Sequence, residues 1–122
     1  MPAILRIKDN QGKIYPIPAI RGERGNAVET GGYTGNGAFG AENPNVLTFP
    51  FKPKLLCISK ENPSGEFLFW MEGLTCCLRV GNTNGENGAQ ITVSENTASF
   101  HAETAALQYN ETNVKYYYIA CS

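Results

Sequence analysis

The sequence predicts an all-β domain made of short antiparallel strands. Apolar runs rich in Val, Ile, Leu, Phe and Tyr recur from Val46 to Cys121, separated by clusters of Asn, Gly, Ser and Thr. Their spacing of roughly 8–12 residues is that of a sandwich or barrel. No stretch repeats its apolar residues at the helical period, and Ala102–Leu107 offers one turn at most. The expected architecture is an antiparallel β-sandwich, jelly-roll-like, over residues 26–122. A short N-terminal β-hairpin and a Gly-containing joint, residues 1–25, precede it as an attachment or oligomer segment.

The elements follow in order. Ala3–Lys8 and Lys13–Ile17 flank Asp9-Asn10-Gln11-Gly12, which predicts a hairpin; Pro16 and Pro18 confine its second arm to an edge. Arg21-Gly22-Glu23-Arg24-Gly25 holds a single collagen-like triplet, too little for a triple helix, and reads as a joint leading to the Gly-rich loop 31–40. Leu47, Phe49 and Phe51 alternate with Thr48 and Pro50, and Leu55–Ile58 is a second apolar run. Glu66–Met71 is apolar on both faces, as expected of a strand that is central or covered on both sides. Leu74, Cys76, Leu78 and Val80 are predicted to share the core face, with Thr75, Cys77 and Arg79 opposite, so Cys76 should be buried and Cys77 more exposed. Gly81–Gly88 reads as a long polar turn. Ile91/Val93 and Ala98/Phe100 form a hairpin over Ser94–Thr97, and Val114–Cys121 is a final strand aromatic on both faces.

Composition narrows the function. The net charge of −1 gives no global field for nucleic acid or an anionic membrane. Residues 1–24 carry five basic and two acidic side chains, net +3, while residues 25–122 carry five basic and nine acidic, net −4. No apolar run reaches membrane-spanning length, and Arg6 and Lys8 interrupt any signal-peptide core. Synthesis in a cytoplasm and four reduced cysteines are therefore expected.

Three stretches resemble small tail-fibre, appendage or baseplate-associated β-domain proteins of bacteriophages and prophages. They are Ile14–Gly25 (IYPIPAIRGERG), Tyr33–Gly37 with Leu47–Leu55 (YTGNG and LTFPFKPKL), and Ala106–Asn110 with Tyr116–Ala120 (ALQYN and YYYIA). The resemblance implies a terminal module of a virion protein, commonly a trimer, that contacts other tail proteins and in some cases a host cell-surface glycan. It brings no catalytic residue set. The chain departs from it in reaching the domain with no long shaft, and in ending on Cys121-Ser122.

The residue inventory points away from catalysis. The chain has one Asp, Asp9, in a predicted turn, and one His, His101, so a Ser-His-Asp triad would have to join those two. Adjacent Cys76 and Cys77 point to opposite strand faces and cannot chelate one ion together, so neither metal nor cofactor is expected. Glu66, Glu72 and Glu103 are too ordinary a set to specify a glycosidase. Binding is the expected mode. Asn82, Asn84 and Asn87 in the glycine-flanked turn are the candidate ligand contacts, and Tyr116, Tyr117 and Tyr118 the candidate oligomer interface. The alternative reading is a free-standing carbohydrate-binding β-sandwich.

Overall fold

The computed structural model describes residues 6–8, 14–16, 27–62, 65–84 and 86–122, and among them every regular element is a β-strand. β1 (Arg6–Lys8) and β2 (Ile14–Pro16) pair antiparallel as a separate hairpin, with Ile7 opposite Tyr15. The loop 9–12 and the joint 17–25 lie outside the described residues. The other strands are β3 (Val28–Thr34), β4 (Asn45–Thr48), β5 (Leu55–Lys60), β6 (Phe67–Met71), β7 (Cys76–Val80), β8 (Asn87–Val93), β9 (Thr97–His101) and β10 (Lys115–Cys121). They form one eight-stranded antiparallel sheet in the order β3-β10-β5-β6-β7-β8-β9-β4.

The all-β antiparallel class is therefore as predicted. In place of two facing sheets, one continuous sheet curls until its ends approach, as strongly twisted antiparallel sheets do. Tyr33 at the end of β3 and Asn45 at the start of β4 both donate to the carbonyl of Tyr109, at 2.8 and 3.3 Å. Phe49, just past β4, meets Tyr118 of β10 edge-on with ring centroids 5.7 Å apart.

The inner face of this curl is the core. Leu56, Ile58, Leu68, Trp70, Ala98, Phe100, Tyr116 and Ala120 are all buried there. Burying each large apolar side chain stabilises the fold by roughly 1.5–3 kcal/mol. Trp70 satisfies its indole by donating to the Leu74 carbonyl at 2.8 Å. Tyr116 stacks on Tyr33 at 5.1 Å and leans on Tyr109 at 5.5 Å.

β5 to β9 run as a meander, in which the Ser94–Thr97 turn closes with a 3.0 Å backbone bond. Two connections cannot be tight. Residues 35–44 must pass from β3 at one side of the sheet to β4 at the other, and residues 102–114 from β9 to β10. Both cross the same end of the curl and zip to each other. Gly35 N–H donates to Val114, Gly37 N–H to Asn110 and Gly40 N–H to Ala102, at 2.7–3.0 Å. Two buried amides finish the seam. Gln108 Oε1 accepts from the Gly40 and Ala102 amides, both at 2.9 Å, while its Nε2 donates to the Asn43 carbonyl at 2.8 Å. Asn110 Nδ2 donates to Asn36 Oδ1 at 2.7 Å and to the Ala38 carbonyl at 2.8 Å.

Glycine is required where the loops touch. A Cβ on Gly35 would lie 2.1 Å from the Glu111 carbonyl oxygen, and Gly37 has φ +85° with Thr112 in the way. Tyr109 itself is left-handed at φ 58°, a conformation costing a bulky residue on the order of 1–3 kcal/mol. That backbone turn sets its flanking residues Gln108 and Asn110 into the seam and aims its carbonyl at Tyr33 and Asn45. Residues 103–109 form turns only, as the sequence reading allowed.

Candidate interaction surface

Strand alternation gives the curled sheet an outer face, and on four neighbouring strands that face is apolar. Cross-strand pairing aligns Ile119 of β10, Cys57 of β5, Phe69 of β6 and Leu78 of β7 in one row. Cys121, Leu55 and Met71 make a second row, and Phe67 pairs with Val80 beside Tyr117 and Ser59. Met71 is 48% exposed, Tyr117 46% and Leu78 41%. A shallow depression of about 300 Å³ lies among Cys57, Ser59, Phe67, Tyr117 and Ile119. No acidic or basic side chain stands in these rows; at their rim Lys115 holds its ammonium 5.8 Å over the Tyr117 ring. A contiguous apolar patch, unlike single exposed leucines, marks a surface that is covered in use.

The three candidate interface tyrosines divide between the faces. Tyr116 is fully buried in the core and so cannot meet another subunit. Tyr118 also points inward, against Phe49. Tyr117 alone faces outward, on the same side as Ile119.

The β7 reading is reversed by the structure. Cys77 is buried at 1% exposure and Cys76 is half-buried, while Leu78 and Val80 are exposed. The parity of the alternation flips at Thr75. Leu74 packs against the core from the turn that follows β6, held by its N–H on the Met71 carbonyl at 3.1 Å, and the strand begins only at Cys76. A one-residue slip of this kind moves every later side chain to the other face. Register also shifts between Cys76 and Leu78 where β7 meets β8. Burial pushes the Cys77 thiol up to about 12, and all four cysteines are free.

Arg79 consequently points inward, at the rim of the core, with its side chain 13% exposed. Its guanidinium grips Glu66 with two bonds, 2.9 and 3.1 Å, and reaches Glu86 at 2.8 Å. That grip holds the Glu66 carboxyl below its usual range. Lys60 and Glu111 pair at 2.8 Å at the same end of the sheet. These are structural ion pairs of a loop-rich rim.

The candidate ligand contacts also separate. Asn82 is half-buried, and its Oδ1 accepts from the Asn84 and Glu86 amides at 3.0 and 3.4 Å, so its side chain shapes the turn. Asn84 is exposed at the tip, and Asn87 opens β8. Register places this turn at the same end as the zipped loops, while Val28, Cys121 and the turns 49–54 and 72–75 lie at the opposite end. Among the described residues no three His, Cys, Asp or Glu side chains are placed to hold a metal ion, and no helix is long and apolar enough to cross a membrane. No protein-family model, curated protein or solved structure matches the chain.

Proposed function

We propose that this chain is a non-catalytic, structural or receptor-facing β-domain of a phage or prophage tail, acting as a homo-oligomer whose copies meet through the outer face of β10, β5, β6 and β7. The apolar rows of that face carry the reading. Three consecutive strands and the distant β10 place large side chains outward, and among the described residues the paired rows hold no charged side chain. Cores are apolar because folding requires it, but an outer face has no such requirement unless a partner covers it.

The virion assignment rests on the resemblance; of the stretches that carry it, residues 17–25 lie outside the described residues, and those within the eight-stranded sheet help to close the fold. Tyr33 stacks in the core, and Gly35, Asn36 and Gly37 enter the loop seam, where they meet Gln108, Tyr109 and Asn110. Phe49 and Phe51 stack on each other at 5.8 Å, and Pro53 is buried beside them in the chain. On this reading the stretches that carry the resemblance supply a scaffold, which fits a protein that assembles and binds. Three copies turning the apolar face to a common axis would cover it on every subunit, while the end with the long loops stays free for contact with other tail proteins or a host surface.

Light scattering of the full chain at micromolar concentration tests this. The expected mass is three times the 13.3 kDa chain. A monomer would move the reading to a free-standing binding module.

A further inference from the structure

We infer that the groove between the zipped loops and the β8–β9 edge binds a neutral pyranose unit of a glycan. The groove has a volume of about 590 Å³, within the range of small-molecule sites, and lies outside the apolar outer rows. It is framed by the 39–41 segment on one side, by Ala102, Glu103 and Leu107 on another, and by Asn87, Gly88, Gln90 and His101 along the sheet.

Its walls are held rigid from beneath. One buried side-chain oxygen, Gln108 Oε1, accepts from both Gly40 and Ala102, so the two loops that frame the groove hang from a single amide. Asn110 fixes the Ala38 carbonyl, and Asn43 Nδ2 donates to the Phe39 carbonyl at 3.3 Å. On this anchored backbone the Phe39 ring is 47% exposed. A rigid loop that keeps an aromatic ring in water presents a ready stacking surface, because little side-chain or loop order must be lost when a ligand settles on it.

Opposite the ring the chemistry is polar. Gln90 and His101 are cross-strand partners, and neither side chain, nor that of Glu103, makes a hydrogen bond to another described residue. Together with Asn87 they offer amide donors and acceptors, an imidazole and a carboxylate, the mixture that satisfies vicinal hydroxyls acting as both donor and acceptor. Among the described residues no Lys or Arg lines the groove, which disfavours phosphate, sulfate or sialic acid. An apolar C–H face against Phe39 and hydroxyls toward Gln90 and His101 is the orientation this arrangement selects.

The test is a two-dimensional NMR titration of the full chain with a panel of neutral trisaccharides of glucose, galactose and N-acetylglucosamine, with sialyllactose as the anionic comparison. At least one neutral sugar should shift the resonances of Phe39, Gln90 and His101 in a saturable way. Phe39→Ala should weaken that sugar by roughly three- to tenfold, the worth of one aromatic contact. Gln90→Ala should weaken it as well. Both side chains are exposed, so the variants should keep the native spectrum elsewhere. The inference is overturned if no panel member shifts these residues, if the shifts fall elsewhere, if Phe39→Ala binds unchanged, or if sialyllactose binds as tightly. None of these outcomes alters the mass measurement on which the oligomer reading stands.

Discussion

The outer face of the curled sheet has two halves that differ in kind. Over β10, β5, β6 and β7 it presents Tyr117, Ile119, Phe67, Met71, Leu78 and Val80; over β8, β9 and β4 it presents Gln90, Thr92, Ser99, His101 and Thr48 beside one exposed apolar side chain, Val46. Beneath them the inner faces are alike, with Leu56 and Leu68 as buried under the first half as Ile91 and Phe100 are under the second. Folding accounts for the inner residues in both halves and for the outer residues in neither. The polar half is what a wet face of an antiparallel sheet should be. The apolar half has no such explanation in the fold, and it is the face that the proposed oligomer would cover.

Two adjacent tyrosines allow that comparison to be broken cleanly. Tyr116 points inward and its hydroxyl accepts from the Glu111 amide at 2.9 Å, so Tyr116→Ala should lose about 3–5 kcal/mol of stability and leave little folded protein. Tyr117→Lys, one residue on, should leave the isolated fold intact within about 0.5 kcal/mol but convert the oligomer to monomer. Ser99→Lys on the polar half should change neither. Urea unfolding and light scattering on the three variants decide the matter. An oligomer that survives Tyr117→Lys but dissolves with Ser99→Lys would exchange the roles of the halves.

How much of this was legible in the sequence depends on parity. The β8–β9 hairpin and the opposite facing of Tyr116 and Tyr117 follow from simple alternation, and each is found; β6 is central in the sheet as expected, but Phe67 and Met71 on its outer side are exposed. Where alternation is interrupted, the reading inverts. The turn before β7 takes one residue more than the pattern implies, and Cys76, Cys77, Leu78 and Val80 all change sides. The loop seam was hidden for another reason. Gln108 and Asn110 sit in a polar stretch with no periodicity, and their burial depends on partners 65 to 74 residues away. An amide is buried only when distant backbone groups come to meet it, and no local signal records that. Phe39 could have been singled out as an aromatic in a Gly-rich loop, but its exposure is set by that same seam.

The cysteines sharpen the comparison by a smaller but more local effect. Cys57, Cys76 and Cys121 all lie on the outer side of the apolar half, and Cys77 lies inside. In the assembled protein at pH 8, a small alkylating reagent should therefore modify all four slowly. In the Tyr117→Lys monomer the three outer thiols should react at least about tenfold faster, while Cys77, its thiol pushed up to about 12 by burial, stays unreactive until unfolding. Equal labelling of Cys57 and Cys76 in both proteins, read by peptide mass spectrometry, would mean that nothing covers that face. The same raised thiol ties stability to alkali. Protonated in the fold and ionised when unfolded, Cys77 contributes stability that is complete below its ordinary value near 9 and is lost as the pH rises toward 12.

The smallest expected effect separates fold from association by acid. The apolar rows hold no histidine, carboxylate or amine side chain, so the oligomer mass should be constant from pH 5 to 8. The fold has an acid-sensitive inner contact instead, the two-pronged Glu66–Arg79 pair at the rim. Arg79 holds the Glu66 carboxyl below its ordinary value near 4.5, so the unfolded chain takes up that proton first as acid is added. The stabilisation is thus complete above that ordinary value and is lost as the pH falls through the lower folded one. Glu66→Gln should remove this part of the acid dependence at a cost of about 1 kcal/mol at neutral pH, since Arg79 keeps Glu86 at 2.8 Å. Urea midpoints from pH 3 to 7 would show a flatter acid limb in the variant, and the same flattening should appear in the Tyr117→Lys background, because the pair faces the core and not the partner. An acid limb unchanged by Glu66→Gln would place the sensitivity at another carboxylate, with Glu111, paired to Lys60 at 2.8 Å, the next to replace.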